Sequence, residues 1–217
     1  QATVERYRSR VLELLLEKAP IEAILEEIVH GIENLSPDAL GSILLVDKSG
    51  KHLLTGAAPS LPEFYNTAIH GIEIGMGVGS CGTAAFTGEL VVVEDIGSHP
   101  YWTPYKALAA KADLGACWSQ PIKDSSGKIL GTFAIYHRHP ASPTENDLGL
   151  SAQASQLAAI VIEAKSKEED LSNYRNHLEE LVARRSSEIV QLNAQLEKRA
   201  MEAEAANRAK STFLANM

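Results

Sequence analysis

Residues 116–137 read ACWSQPIKDSSGKILGTFAIYH, two apolar runs on either side of the polar turn Asp124-Ser125-Ser126-Gly127. Short runs rich in β-branched and aromatic residues, joined by Asp, Ser and Gly, are typical of an antiparallel hairpin. We therefore predict strands over residues 116–122 and 129–137. This hairpin indicates that the chain builds an antiparallel sheet.

The same pattern occurs upstream, where residues 42–46 and 52–55 flank the turn Asp47-Lys48-Ser49-Gly50. Residues 90–93 add one more short apolar strand. Together these segments give about five strands, mostly antiparallel, with helical segments between them. The arrangement predicts an α+β fold with one central sheet.

Helical periodicity is found before and between the strands. Residues 1–18 place apolar side chains at helical spacing, and Pro20 marks the start of a second helix. Residues 101–112 are predicted to form a further helix. The apolar stripe of the second helix consists of Ile21, Ile24, Leu25, Ile28 and Ile32.

The last third of the chain is predicted to be one long helix, because residues 150–217 contain neither glycine nor proline. Fully helical, these residues would extend roughly 100 Å at about 1.5 Å per residue. Ser142-Pro143-Thr144-Glu145 has the form of a capping box, with Ser142 as the N-cap and Glu145 at N3. A compact domain cannot bury a helix of this length, so its distal part needs a partner.

A seven-residue repeat in the distal helix indicates what that partner is. One position of the repeat is Leu171, Leu178, Arg185, Leu192 and Arg199, and the other is Arg175, Val182, Ile189, Leu196 and Ala203. Such a heptad favours a parallel dimeric coiled coil, although a single solvated helix is the alternative. We define the heptad seam by its apolar members: Leu171, Leu178, Val182, Ile189, Leu192 and Leu196.

Composition excludes several classes of function. The net charge of −8 falls on residues 19–166, which disfavours binding to nucleic acid or to anionic membranes. Apolar residues make up 45% of the chain, yet no run is long enough to span a membrane. Two cysteines in 217 residues are typical of a reducing cytosol, so we expect a cytoplasmic protein. A chain that begins at Gln1 is expected to be a fragment.

Residues 77–82 read GVGSCG and match the dinucleotide-binding pattern, but we reject that interpretation. No clear β-α-β unit surrounds the pattern, and Glu94-Asp95 follows too early for a ribose ligand. A loop leading into a short helix over residues 80–87, ended by Gly88, fits better. Free amides at that helix start would suit an anion, as a weaker alternative.

Other reactive residue types are few. Cys81 falls at a helix start, where a thiolate is favoured, and Cys117 falls in a strand. Buried structural cysteines and a redox or ligand-contacting pair are both compatible with these positions. His137 and His139 lack a third metal ligand nearby, so no metal site is predicted. Four aromatic residues suit either a small-molecule pocket or core packing: Tyr101, Trp102, Tyr105 and Trp118.

Taken in order, these motifs resemble a GAF domain over residues 19–166, of the kind found in bacterial sensor kinases and cyclic-dinucleotide enzymes. The segments that carry the resemblance are GVGSCGTAA at 77–85, VVVEDI at 91–96, HPYW at 99–102, ACWSQPI at 116–122 and LGTFAIY at 130–136.

The GAF resemblance implies an antiparallel sheet of about six strands with helices on both sides and a ligand pocket over one face. The resemblance does not specify the ligand. The sequence shows no bilin-attachment signature and supports no haem site. The pocket candidates are Cys81, Phe86, Asp95, Trp102, Tyr105, Cys117, Ser119 and Tyr136.

Residues 206–217, ANRAKSTFLANM, resemble the segment that leads into the dimerisation helix of hybrid histidine kinases. The family continues with Ser-His-Glu, whose histidine accepts phosphate, and this chain stops before it. The resemblance implies a bacterial kinase parent, with no enzymatic activity in this fragment. Expected partners are a second copy, the kinase core and a response regulator or receiver domain, with no membrane in this fragment.

The resulting division is an N-terminal helix over 1–18, a GAF sensor domain over 19–166 and a coiled-coil signalling helix over 167–217. Two alternatives stay open. Free methionine sulfoxide reductases share the Cys-Gly-Thr-Ala segment that residues 81–84 match, but their Gly-His-Ile-Ala-Cys-Asp segment has no counterpart cysteine here. A redox enzyme would use Cys81, and the third option is a ligand-free dimerisation scaffold.

Overall fold

The computed structural model describes residues 2–215 and shows an antiparallel sheet of six strands, ordered β3-β2-β1-β6-β5-β4. The α+β fold class is therefore confirmed. Five of the six strands match predicted segments; β3 was not predicted, because its two residues carry no periodicity. The strands are β1 (Leu40–Val46), β2 (His52–Ala57), β3 (Ile72–Glu73), β4 (Val91–Val93), β5 (Ala116–Lys123) and β6 (Ile129–His137).

Both predicted turns close hairpins. The Gly50 N–H donates to the Asp47 carbonyl (3.0 Å), and the Gly127 N–H donates to the Asp124 carbonyl (3.0 Å). Gly50 and Gly127 have φ values of 73° and 88°, a region that glycine adopts without the steric cost other residues meet. Turn chemistry therefore set the register of the β1–β2 and β5–β6 pairs.

Six α-helices and one 3-10 helix lie among the described residues. The predicted helix over 101–112 is instead a 3-10 helix followed by α5, because Pro104 has no N–H to continue an α-helical ladder. α3 was not predicted. The helices are α1 (Ala2–Leu16), α2 (Ile21–Leu35), α3 (Glu63–Ile69), α4 (Gly79–Thr87), the 3-10 helix (Pro100–Tyr105), α5 (Lys106–Lys111) and α6 (Glu145–Ala215).

One face of the sheet is covered by α1, α2 and the first turns of α6, which we call the helical layer. Trp118, Phe133 and Ile135 project from β5 and β6 into this layer and are almost completely buried. Tyr7 of α1 packs so closely on Gly31 of α2 that a methyl group at Gly31 would lie 2.8 Å from the tyrosine ring. A large apolar core on this face stabilises the domain.

The capping box at the start of α6 lies two residues later than predicted. The Thr144 hydroxyl and N–H both donate to Asp147 Oδ2 (2.7 and 2.9 Å), and the Asp147 N–H donates back to Thr144 Oγ1 (3.2 Å). Thr144 is therefore the N-cap and Asp147 is N3, instead of Ser142 and Glu145. Both pairs have the Ser/Thr-x-x-acid spacing, so the sequence pattern alone could not choose between them.

The chain divides into two compact units, Gln1–Lys165 and Ser166–Met217. In the first unit, α6 buries Leu150, Ala154 and Val161 in the core of the helical layer. In the second unit the helix exposes nearly all of its side chains. Among residues 2–215, no helix combines the length and hydrophobicity needed to span a bilayer.

Candidate functional site

The second face of the sheet carries both cysteines of the chain, together with hydroxyl-bearing and aromatic side chains. Because side chains alternate along a strand, β6 turns Thr132, Ala134 and Tyr136 to this face, opposite Phe133 and Ile135. On β5 the corresponding residues are Cys117 and Ser119, which lie beside Tyr136 and Ala134 in the strand register. We call this surface, with the residues packed on it, the thiol face.

Helix α4 packs against β5 and β6 and brings Cys81 over the thiol face. The predicted helix and its end are confirmed: Gly88 adopts a left-handed conformation (φ 70°), and its N–H donates to the Ala84 carbonyl (2.9 Å). Gly82 permits close packing, since a methyl group there would lie 2.7 Å from the Glu73 carbonyl oxygen. Local glycine chemistry thus positions the cysteine.

A small cavity of about 20 Å³ lies beside Cys81. That volume holds about one water molecule. Its walls are mainly apolar, with aromatic rings from α3, the 3-10 helix and β6. The residues that line it are Leu44, Tyr65, Ile69, Ile72, Val78, Gly79, Ser80, Cys81, Trp102, Tyr105 and Tyr136.

Aromatic contacts hold the cavity walls in place. The rings of Tyr65 and Tyr136 meet edge to face with centroids 6.0 Å apart, and those of Trp102 and Tyr105 meet in the same way at 6.4 Å. The Trp102 indole N–H donates to Ser80 Oγ (3.0 Å), which ties the 3-10 helix to the first turn of α4. The walls are therefore fixed by directional contacts.

The two cysteines of the chain meet at the thiol face. Both are free thiols, Cys117 is fully buried and Cys81 is 7% exposed. Both side chains are packed in the same buried cluster, and Cys81 Sγ lies 3.9 Å from the hydroxyl oxygen of Tyr136, the strand partner of Cys117. The fold thus brings together two thiols that are 36 positions apart in the sequence.

Hydroxyl groups surround Cys81. Ser119 Oγ and Thr132 Oγ1 are fully buried and have no hydrogen-bond partner, and both hydroxyls lower the pKa of the Cys81 thiol. A buried hydroxyl without a partner is costly, and a thiolate at Cys81 would offer these two an acceptor.

These donors change the acidity of both thiols. The Cys117 thiol, followed by the Ser119, Thr132 and Tyr136 hydroxyls, lowers the pKa of Cys81 to about 7 against the opposing effect of burial. Burial raises the pKa of Cys117 well above that of an ordinary thiol, and a neighbouring negative charge on Cys81 raises it further. Cys81 is therefore the first thiol of the pair to ionise, and Cys117 keeps its proton.

The structure brings six of the eight pocket candidates together and places two elsewhere. Cys81, Trp102, Tyr105 and Tyr136 line the cavity, with Cys117 and Ser119 directly behind it. Phe86 and Asp95 lie outside this cluster. Phe86 is 58% exposed. Asp95 binds its own loop, accepting from the Gly97 N–H (2.9 Å) and the Ser98 hydroxyl (2.7 Å), and the Ser98 bond lowers its pKa.

Sequence reasoning missed Tyr65, Thr132 and Ser80. Thr132 was detectable, because it alternates with Ala134 and Tyr136 along a predicted strand. Tyr65 lies on α3, which was not predicted, and Ser80 is recognised only through its bond to Trp102.

The histidines lie outside this cluster. His137 packs on Trp118 with ring centroids 4.7 Å apart, and burial lowers its pKa. His139 follows the end of β6 and is exposed. Within the part of the chain that the structure describes, no three metal-ligating side chains converge.

Comparison with known proteins assigns the architecture to a family. Residues 18–163 match the GAF domain family. The chain is also 38% identical over 156 residues, 72% of its length, to the methyl sulfide methyltransferase-associated sensor of Methanosarcina acetivorans. The match spans 16% of that longer relative.

Solved structures share the fold at low sequence identity. A domain of a two-component sensor histidine kinase protein from Sinorhizobium meliloti 1021 is 21% identical with a TM-score of 0.55, covering 66% of this chain and 91% of that one. The free methionine-R-sulfoxide reductase of Neisseria meningitidis is 20% identical with a TM-score of 0.59, covering 76% and 89%. These likenesses establish fold only.

Proposed function

The chain belongs to the GAF domain family, and from that premise we propose that it is the sensory module of a two-component histidine kinase. In this proposal a ligand or redox change at the thiol face alters the helical layer. A dimeric coiled coil formed by the distal part of α6 carries that change to a kinase core.

The observation that carries the proposal is the exposed heptad seam on α6. Leu171, Val182 and Ile189 are 70%, 64% and 57% exposed, and the other members of the seam are exposed as well. Exposed apolar side chains that repeat every seven residues along a helix are typical of one helix of a coiled coil, whose seam a second helix would cover. A second copy of this chain supplies such a strand with matching register.

Two further observations support a kinase parent. The resemblance of residues 206–217 to the segment before a phosphoacceptor histidine extends to the end of the helix, although Asn216 and Met217 lie outside the described residues. The Methanosarcina relative is named as a sensor and is much longer than this chain. Within the proposal, the missing length of the parent contains the catalytic domains.

A matched pair of substitutions tests the coiled coil. Ile189→Lys places a charge in the seam, whereas Val190→Lys places the same charge on a neighbouring residue outside it that is 68% exposed. We expect sedimentation velocity at micromolar concentration to show a dimer for the wild type and Val190→Lys, and a monomer for Ile189→Lys. A monomeric wild type, or a dimer that Ile189→Lys leaves intact, would contradict the proposal.

The paired thiols favour a second candidate, a redox enzyme resembling free methionine sulfoxide reductases, with Cys81 as its reactive group. Its test is thiol-dependent reduction of free methionine sulfoxide by the purified chain. Turnover abolished by Cys81→Ser, in a variant with an unchanged circular dichroism spectrum, would support the enzyme. We expect no turnover.

The size of the cavity favours a third candidate, a ligand-free dimerisation scaffold, because about 20 Å³ leaves no room for a metabolite without movement of the walls. Native mass spectrometry of the protein as purified distinguishes the ligand-free scaffold from a ligand-binding sensor. A co-purifying small molecule would contradict the scaffold and identify the signal.

A further inference from the structure

We propose that Cys81 and Cys117 form a reversible dithiol–disulfide switch that responds to hydrogen peroxide or an equally small hydroperoxide. Cys81 is the group that the peroxide oxidises, and Cys117 is the group that resolves it. The chemistry stands on this chain alone. Only its consequence, a change in signalling, rests on the proposed sensory function.

Contact between the two thiols is the first requirement. Cys81 is on α4 and Cys117 is on β5, two elements that pack directly on each other. Tyr136, which is paired with Cys117 across the sheet, also contacts the Cys81 sulfur. Because the sheet fixes Cys117 and Gly88 fixes the end of α4, regular elements hold both thiols within one buried cluster.

The hydroxyl groups supply the second requirement, a means to ionise a thiol that has no cationic neighbour. Ser119 Oγ and Thr132 Oγ1 are buried on the thiol face without a hydrogen-bond partner, and the Tyr136 hydroxyl lies 3.9 Å from Cys81 Sγ. A thiolate is the nucleophilic form of cysteine, and these donors stabilise it inside an apolar site.

The cavity supplies the third requirement, access for a reagent of restricted size. Cys81 lines a space of about 20 Å³, whereas Cys117 does not line it. A hydrogen peroxide molecule is little larger than the single water that such a space holds. Bulkier oxidants are excluded by Tyr65, Trp102 and Tyr105, so the structure favours attack on Cys81 before Cys117.

The reaction balances in two steps. In the first step the Cys81 thiolate attacks one peroxide oxygen. An S–O bond forms and the O–O bond breaks, so Cys81 becomes a sulfenic acid. The leaving hydroxide takes up a proton and departs as water. The Cys117 sulfur then attacks the Cys81 sulfur. An S–S bond forms, the S–O bond breaks, and the Cys117 proton leaves with the departing oxygen as a second water. Two electrons pass from the thiols to the peroxide.

A reversible disulfide also suits a chain with so few cysteines. Disulfides in reducing compartments are usually transient and redox-sensing rather than structural. Formation of the bond would link α4 covalently to β5 and would remove the Cys81 acceptor from the Ser119 and Thr132 hydroxyls. Cellular thiols would restore the reduced state.

The test uses the reduced full chain, treated with a small excess of hydrogen peroxide, quenched with catalase and alkylated in denaturant. We expect intact mass spectrometry to show loss of both thiols, a chain lighter by two hydrogen atoms, and a peptide pair joined through Cys81 and Cys117. Dithiothreitol should restore both thiols. tert-Butyl hydroperoxide should react at least about tenfold more slowly, because the cavity restricts access.

Variants separate the roles of the two cysteines. In Cys117→Ser the oxidation should stop at a sulfenic acid on Cys81, which dimedone traps. In Cys81→Ser the remaining thiol, Cys117, should stay reduced. If Cys81→Ser does not fold, Cys81→Ala replaces it. Thiols that stay reduced under conditions that oxidise the chain in urea would overturn the proposal. So would crosslinks between chains, or rapid oxidation of Cys117 in the absence of Cys81. Because none of these readouts depends on sedimentation, the switch and the coiled coil can fail independently.

Discussion

The two faces of the central sheet differ in what they contain, although the same strands supply both. On β6, Phe133 and Ile135 project into the helical layer, while Thr132, Ala134 and Tyr136 form part of the thiol face. The helical layer buries bulky hydrocarbon and tightly packed helices. The thiol face buries the two thiols and a cavity beside Cys81, together with large aromatic side chains such as Tyr65 and Tyr136.

This difference separates stability from reactivity. Burial of large apolar side chains provides most of the free energy of folding, and the helical layer buries the larger set of aliphatic side chains. Hydroxyls and thiols contribute little when buried, and unpaired ones cost free energy. Both thiols lie on one face, so the reactive groups of the domain are opposite its larger apolar core.

The largest expected effect comes from the helical layer. Phe133→Ala should lower the free energy of unfolding by about 3–5 kcal/mol, because the side chain is fully buried and its loss leaves a cavity. Urea denaturation of the isolated chain measures this loss. Phe133→Leu is the control and should cost much less. A loss below about 1 kcal/mol for Phe133→Ala would show that this face is not the main source of stability.

A smaller loss is expected from filling the opposite face at the next residue. Ala134 is fully buried between Ser42 and Ser119 in the strand register, beneath α4. Ala134→Leu should cost about 1–3 kcal/mol through overcrowding, again measured by urea denaturation. Ala134→Ser is the smaller control. Unchanged stability for the leucine variant would mean that the thiol face has more room than its cavity indicates.

The parts of the fold that the sequence predicts are those encoded by residues close together in the chain. The strands and turns of both hairpins were predicted, because alternation and Asp/Ser/Gly turns are encoded within a few residues. The GAF resemblance is confirmed by the family match. Pro104 ended the predicted helix over 101–112 early, because its missing N–H outweighs helical periodicity. The α6 cap lies at Thr144 because two capping-box patterns overlap there.

The site itself was less predictable than the fold. Cys81 and Cys117 were identified as candidates, but their contact depends on how α4 crosses β5, which no local pattern encodes. Phe86 and Asp95 were included because they lie within the motifs; one is a surface residue of α4 and the other closes a loop turn. Tyr65 was missed because a seven-residue helix carries little periodicity.

The pH dependence of stability tests the electrostatics of the thiol face. The pKa of Cys81 is lowered to about 7, below the ordinary thiol value of about 8.5. A lowered pKa contributes stability that is fully present above the unfolded pKa and is lost as pH falls through about 7. The free energy of unfolding of the wild type, relative to Cys81→Ala, should therefore rise between about pH 7 and 8.5.

Cys117 provides the control for this pH profile. Its raised pKa contributes stability that is fully present below the unfolded pKa and is lost as pH rises above about 8.5, so Cys117 cannot cause a rise in that window. Because the Cys117 thiol is the largest cause of the low pKa of Cys81, a Cys117→Ala background should flatten the rise. A profile that is flat with Cys117 in place would contradict a low pKa at Cys81.

The smallest effect on stability, and the sharpest on ionisation, is expected from Thr132→Val. The substitution keeps the shape of the side chain and removes a fully buried hydroxyl that has no close partner, so stability should change by less than about 1 kcal/mol. The pKa of Cys81 should rise, because its thiolate loses one donor. Ultraviolet absorbance of the thiolate, titrated in the wild type, Thr132→Val and the hydroxyl-retaining Thr132→Ser, measures this shift. An unchanged pKa together with a large loss of stability would mean that Thr132 serves packing, and the division between the two faces would then not hold at β6.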